Sequence, residues 1–424
     1  MNVLKYSQWD CLFTSAGLPL FLFDIVMDVL AAVNFYKEEA YLCLAVLLVL
    51  LIGSSVLAQL YSWLWYSYDE FKMETKLEDF LKPILGVLHM FQLGMYIRHL
   101  AVLEAFMPNS NSNPSWPTDV VVYMNHDLNL LRFMETFWES APQIVLMLTV
   151  IMQEGKPGPI TVLKTICSLS TVAFCVTTYH RCLRSFLPDK KKQPIISSIV
   201  YFLWNLLLLS SRIVALALFA SEEPCFIFTH FFCSWLVLFF FAWRSKTKLM
   251  DSAGGEWLYR ATVGLIWYFD WFNVVEGQMR KQMIVYHTYI LVDISVLCGV
   301  WYWKMSLDPP PLEISCLQAV IISGAVISVY IMGLICKIIY YLFFHPKLYK
   351  KELIGDIVNE RQGDEVDFGP RTSAPGVAPV DNKSDVFCRI PWMPSGPNQQ
   401  VHCNKRTKKL AENFYSRSAE GVEA

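Results

Sequence analysis

Ten stretches of the chain are apolar enough to enter a membrane: residues 13–34, 41–66, 80–105, 133–153, 160–182, 195–220, 226–243, 257–276, 284–303 and 314–344. Most reach the roughly 20 residues that an α-helix needs to cross the hydrocarbon core of a bilayer. No water is available there, so each spanning segment must satisfy its backbone groups internally, and helices are expected throughout. With 54% hydrophobic and 17% charged residues over 424 positions, the composition excludes an ordinary soluble globule. Residues 1–12 carry Lys5 as their one basic residue and lead into a run long enough to span, which argues against a cleaved signal peptide. Twelve cysteines are scattered, mostly inside apolar runs and without a CxxC pair. They read as small buried residues rather than a disulfide framework or zinc site. Cys225 and Cys316 fall near the expected outer surface, where a bridge is conceivable but free thiols are expected.

Two segments are unlike the rest. Segment 80–105 carries Lys82, Pro83, His89, Gln92, Arg98, His99 and Glu104, and segment 257–276 carries Arg260, Asp270, Asn273 and Glu276. If all ten segments cross from a cytosolic N-terminus, Lys190-Lys191-Lys192 and Arg244, Lys246 and Lys248 face outward, against the tendency of basic loop residues to stay inside. If the two polar segments enter and leave on one side, those clusters face the cytosol together with Arg280-Lys281 and Lys347, Lys350 and Lys351. The outer loops are then 36–40, 154–159, 221–225 and 304–313, with at most one Lys each. The expectation is an all-α polytopic membrane protein with eight transmembrane helices, two re-entrant helices and both termini cytosolic. Each polar segment follows a pair of spans, which suggests two pseudo-symmetric repeats of about four or five elements. After Phe344 the chain turns polar and rich in Pro, Gly and Ser. The division is therefore a membrane domain at 1–345 and a cytosolic, largely disordered tail at 346–424.

The apolar spans carry residues that hydrocarbon penalises. Asp24 and Asp28 are four apart on the first, Glu135 and Glu139 repeat that spacing ahead of Pro142 on the fourth, and Asp127 and Arg132 precede them. His180, Arg181 and Arg184 close the fifth, Arg212 interrupts the sixth and Asp293 the ninth. A charge at a helix centre costs roughly 2.5–3.5 kcal/mol on insertion scales unless paired or hydrated. Two readings remain open. The charges form ion pairs that hold the bundle, for example Asp24 and Asp28 with Arg98 or Arg212. Alternatively, Asp24, Asp28, Arg98, Glu135, Glu139, Arg212 and Asp293 line a polar ladder along which a headgroup or ion passes.

The tail holds two features. Asp364-Glu365-Val366-Asp367 matches the sequence that executioner caspases cut after its last residue, although Phe368 follows where a small residue is preferred. Asn404 to Tyr415, NKRTKKLAENFY, reads as a short basic amphipathic helix with Lys405, Arg406, Lys408 and Lys409 opposite Leu410 and Phe414. It is either a solvated stretch touching inner-leaflet lipid or a peptide that docks on the membrane domain. The chain has no GxxxxGK[ST], HExxH, GxSxG or DKTG motif, so neither ATP hydrolysis nor covalent chemistry is indicated and transport should run downhill. No cofactor, metal or nucleic-acid partner is expected.

FMETFWESAPQIVL at 133–146, YFLWNLLLLSSR at 201–212, GEWLYRATVGLIWYFDWFNVVEG at 255–277 and YYLFFHP at 340–346 together resemble the XK-related family over about residues 12–350. The DEVD site and KKLAENFY resemble its caspase-activated branch. The resemblance implies a plasma-membrane phospholipid scramblase that exposes phosphatidylserine in dying cells once a caspase removes the tail. It implies eight spans with two re-entrant helices, and intramembrane acidic pairs at Asp24, Asp28, Glu135 and Glu139. It also implies a single-span immunoglobulin-type partner such as basigin or neuroplastin. Thr178 stands where relatives can carry an acid, which removes an acidic partner for Arg181. A tail-gated channel or small-solute transporter and a non-transporting accessory subunit are the alternatives. An executioner caspase is expected to split the chain between Asp367 and Phe368. Asp367→Ala should abolish the cut and Phe368→Gly should speed it, as read by fragment appearance on a gel.

Overall fold

The computed structural model describes residues 8–106, 118–155, 158–186, 193–245, 247, 249–272, 279–307 and 315–345. Lys190-Lys191-Lys192, Lys246, Lys248, DEVD at 364–367 and the basic stretch at 404–415 lie outside the described residues. The described elements are all helical: α1 (Gln8–Lys37), α2 (Tyr41–Tyr68), α3 (Lys76–Leu81), α4 (Leu85–Met90), α5 (Gly94–Phe106), α6 (Thr118–Trp138), α7 (Ser140–Glu154), α8 (Pro159–Phe186), α9 (Ile195–Glu222), α10 (Phe226–Arg244), α11 (Ala253–Phe269), α12 (Met279–Leu307) and α13 (Cys316–Ile339). A 3-10 turn at Lys82–Ile84 joins α3 to α4, and a π-turn at Tyr340–Phe344 closes α13. Seven helices are long and apolar enough to cross a membrane, within α1, α2, α8, α9, α10, α12 and α13. The chain is an all-α polytopic membrane protein.

The fourth apolar segment is a kinked helix. Its helix starts at Thr118 and is interrupted at Glu139, so Glu135 and Glu139 do not share one uninterrupted helix. Pro142 supplies the reason: it has no N–H for the carbonyl of Trp138, and its ring crowds that carbonyl.

Segment 80–105 folds as a hairpin against α2. At its base, the Tyr66 hydroxyl donates to Glu78 Oε1 at 2.7 Å and the Leu77 N–H donates to Glu104 Oε2 at 3.0 Å. At its tip, Gln92 takes a left-handed conformation with φ 65° and accepts from the Ser55 hydroxyl. The Gln59 amide closes the tip from α2, donating to the Gln92 carbonyl at 3.2 Å and accepting from the Gly94 N–H at 2.9 Å. The irregular backbone at this tip is thus satisfied by protein groups rather than left to the surroundings. A Cβ on Gly94 would lie 2.5 Å from His89 Nε2, so only glycine fits beneath that ring.

Contacts also fix helix directions. Arg212 pairs with Asp293 and Glu223 with Lys304, so α12 runs parallel to α9. Phe219 meets His230 and His230 meets Tyr268, so α10 reverses and α11 reverses again. Thus α11 and α12 point the same way, as a segment entering and leaving on one side requires. The turn after α11 is covered: Tyr286 donates to the Trp267 carbonyl at 2.7 Å and Trp267 Nε1 to the Phe272 carbonyl at 2.8 Å.

In the first half, α1 and the α6–α7 pair run parallel, shown by Thr14 with Asn125 and Asp24 with Ser140. Helix α8 opposes α1, shown by Phe13 stacked on Phe174 and Asp28 on Lys164. Each half therefore orders two helices, a polar interrupted segment and two more helices, in the same sense. The two halves meet in one core that includes Leu131, Phe137, Ile144, Val172, Leu209 and Ile294.

Helices α10 and α11 approach so closely that a Cβ on Gly264 would sit 3.0 Å from the backbone N and Cα of Phe239. Gly264→Leu should destabilise the purified chain by about 1–3 kcal/mol through overpacking. Gly53→Leu, at an exposed position with nothing within 4 Å of the new Cβ, should change it by less than about 0.5 kcal/mol. Unfolding in detergent measures both.

Candidate functional site: a carboxylate cluster inside the membrane domain

One face of α1 carries Thr14, Gly17, Phe21, Asp24 and Asp28 at alternating spacings of three and four, which aligns them along the helix. From Thr14 to Asp28 the face rises about 21 Å at ~1.5 Å per residue. It is pressed between α8 on one side and α6–α7 on the other.

At the lower end, a pocket between α1, α5, α6 and α8 is lined by Thr14, Leu20, His99, Asn129, Arg132 and Thr178, among others. The Arg132 guanidinium lies 4.3 Å above the Phe21 ring and 3.5 Å from Glu135 Oε2. Cation–π contact holds it from below while the carboxylate holds it from above.

One turn higher the acids converge. Carboxylate oxygens of Asp24, Asp28 and Glu139 all lie within 4.8 Å of one another. Hydroxyls surround them: Ser140 donates to Asp24 Oδ2 at 3.2 Å, Ser168 to Asp24 Oδ1 at 3.3 Å, and Ser54 to Glu139. Lys164 donates to Asp28 Oδ1, and both side chains are almost wholly buried. Like charges at this spacing repel by roughly 3 kcal/mol at an effective dielectric of ~20. One ammonium against three carboxylates leaves the cluster cation-poor, an arrangement that attracts a proton, a metal ion or a cationic headgroup. The oxygens could hold a divalent cation by spacing, although Lys164 already takes one of them.

The remaining charges form separate groups. Arg212, fully buried, donates to Asp293 Oδ2 at 2.5 Å and to the Tyr268 carbonyl at 3.1 Å. His230 Nε2 completes this group 3.1 Å from Asp293 Oδ1. Arg98 donates to the hydroxyl and carbonyl of Ser62 at 2.7 and 2.9 Å and stacks 4.0 Å over Tyr66. The pairing expected of Asp24 and Asp28 with Arg98 or Arg212 is thus replaced by pairing with Lys164 and serine hydroxyls, because each arginine is engaged on its own helix neighbours. Arg181 donates to Ser198 at 2.5 Å and to the Gln193 carbonyl at 3.0 Å, and its guanidinium lies 4.7 Å over the Phe13 ring. Cys225 and Cys316 are free thiols.

Lys164 was not marked by composition, since a lysine one turn into a span reads as an interfacial anchor. Its signal is spacing. Lys164 and Ser168 are four apart, as are Asp24 and Asp28, and on antiparallel helices those two pairs meet.

A polytopic helical membrane protein with charged groups sealed along its helix seams is the class that these features define. The XK-related protein family model matches residues 12–346, and the chain belongs to that family. It is 36% identical to XK-related protein 8 of Tetraodon nigroviridis over 98% of both chains. It is 40% identical to XK-related protein 8 of Gasterosteus aculeatus, covering 82% of this chain and 86% of that one. It is 34% identical to XK-related protein 8 of Pan troglodytes, covering 78% and 82%.

Arg212→Met should destabilise the chain by about 3–5 kcal/mol, because it removes the guanidinium and leaves Asp293 with His230 alone. Arg212→Met with Asp293→Asn should recover most of that loss. A double-mutant cycle on unfolding in detergent measures the coupling.

Proposed function

We propose that this chain is a phospholipid scramblase whose C-terminal tail is removed by an executioner caspase, exposing phosphatidylserine on the surface of dying cells. The observation that carries this reading is the polar seam itself. Arg132 and Glu135, then Glu139 and Asp24, then Asp28 and Lys164 place ionic groups at successive heights along one face of α1. A zwitterionic or anionic headgroup moving along such groups exchanges one set of charge-assisted contacts for the next, while its acyl chains remain in hydrocarbon. Membership of the XK-related family and the DEVD motif at Asp364–Asp367 support the same reading.

In this account the protein sits in the plasma membrane with eight spans, two re-entrant helices and both termini in the cytosol. It makes or breaks no covalent bond and uses no ATP. The intact tail, with Lys405, Arg406, Lys408, Lys409, Leu410 and Phe414, docks on the cytosolic face and holds the seam closed. Tethering gives a weakly binding peptide a high local concentration, and cutting after Asp367 lets it dilute away. A single-span immunoglobulin-type glycoprotein of the basigin or neuroplastin kind accompanies the chain.

The test is reconstitution into vesicles with fluorescent lipid in both leaflets and an impermeant quencher outside. Lipid from the inner leaflet becomes quenchable only after caspase treatment, with the vesicles still sealed to a small dye. Asp24→Asn with Glu139→Gln should lower that transport at least about tenfold without loss of assembled protein on size exclusion. Loss of transport and assembly together would mark these acids as structural. Ion current or saturable solute flux without lipid movement would instead identify a tail-gated channel or transporter.

A further inference from the structure

The scramblase reading says that headgroups pass the carboxylates; it does not say which headgroup chemistry they select. Resting on that reading, we infer that Lys164 is an internal stand-in for a lipid amine, and that a headgroup bearing a cationic amine passes by exchanging with it on Asp28.

Four features of the seam lead there. Lys164 is 1% exposed and Asp28 2% exposed, so this pair is sealed inside protein rather than snorkelling to water. Lys164 is the cation that touches the convergent acids, while Asp24 and Glu139 are held by serine hydroxyls. The second oxygen of Asp28, Oδ2, is buried, and the Asp28 carboxylate lies within the cluster that Asp24 and Glu139 complete. Lys164 is five residues from the first residue of α8, about 8 Å along the helix, which places it at the end of the seam nearest the α7–α8 connection. A headgroup rising from the Arg132 pocket meets Glu135, Glu139 and Asp24 before it reaches the Lys164 contact.

A primary ammonium or a choline group can replace the Lys164 ammonium charge for charge, leaving no carboxylate stranded in low dielectric. A headgroup without a cation has nothing to offer Asp28 when Lys164 leaves. Phosphatidylserine and phosphatidylglycerol carry the same net charge, and only the first has an amine. They therefore separate this exchange from simple charge repulsion.

The experiment uses the caspase-cut full chain in vesicles with acyl-labelled phosphatidylcholine, phosphatidylserine or phosphatidylglycerol. The two amine lipids should cross at least about threefold faster than phosphatidylglycerol. Lys164→Met should widen that ratio by about threefold or more, because the competing ammonium is gone. An unchanged ratio, whatever the absolute rates, would overturn the inference and leave Lys164 a structural pair. If Lys164→Met does not assemble, Lys164→Met with Asp28→Asn removes both charges; the ratio should fall toward one, and a wild-type ratio would overturn the inference. A cut wild-type chain that moves no lipid rejects the scramblase reading itself. One that moves all three lipids equally rejects only the exchange at Asp28.

Discussion

Hydrocarbon cannot solvate charge, and most of this molecule's internal order follows from that. The buried charges along the helix seams are paired with neighbouring helices or with their own turn. Arg212 reaches Asp293 and the Tyr268 carbonyl, Lys164 reaches Asp28, and Arg132 is held between Glu135 and Phe21. These contacts set helix register as much as packing does. Parallel pairing of Arg212 with Asp293 and of Glu223 with Lys304 pins α9 against α12 at two heights, and antiparallel pairing of Asp28 with Lys164 and Asp24 with Ser168 pins α1 against α8. Buried pairs of this kind contribute little net stability against apolar alternatives, but losing one partner is costly. They specify which helices meet and where.

The same constraint governs the backbone. At two breaks in the helical pattern, side chains meet the freed backbone groups. Gln59 serves both free groups at the Gln92 tip, and Tyr286 and Trp267 cover the end of α11. The interruption at Glu139, caused by Pro142, lets that carboxylate meet Asp24 and Asp28 beside the Ser140 hydroxyl. A straight helix would carry its acids past the cluster on a continuous stripe. The break makes Glu139 the junction between the lower Arg132–Glu135 pair and the upper Asp28–Lys164 pair. What holds the helices together in the resting chain is also what a polar headgroup would have to displace.

Much of this was readable from residue spacing. Acids at positions 24 and 28 share a face by their period, whereas the same spacing at 135 and 139 is interrupted at Glu139; polar residues in segments 80–105 and 257–276 marked the two segments that do not behave as simple spans. Arg212 and Asp293 were visible as isolated charges. Their pairing with each other was not, because partner choice depends on which helices are neighbours, and that is a property of the whole bundle. Lys164 was hidden for a different reason. Near the end of an apolar run, sequence alone does not separate a lysine that snorkels to water from one that turns inward, and only the antiparallel fit of 164 and 168 against 28 and 24 decides it. His230 likewise gains meaning only beside Asp293. The seam's lower pocket depends on α5, α6 and α8 meeting α1, which no single segment announces.

The most direct measurement is the structure of the full chain in lipid nanodiscs before and after executioner-caspase cutting, on samples whose lipid movement is measured in parallel. The account predicts Lys164 on Asp28 in the uncut chain. In the cut chain it predicts that this contact parts and that α1 draws away from α8, with headgroup density against Asp24, Asp28 and Glu139. A cut chain that moves lipid while Lys164 stays on Asp28 and α1 stays sealed against α8 would contradict it, and would place the lipid route elsewhere on the molecule.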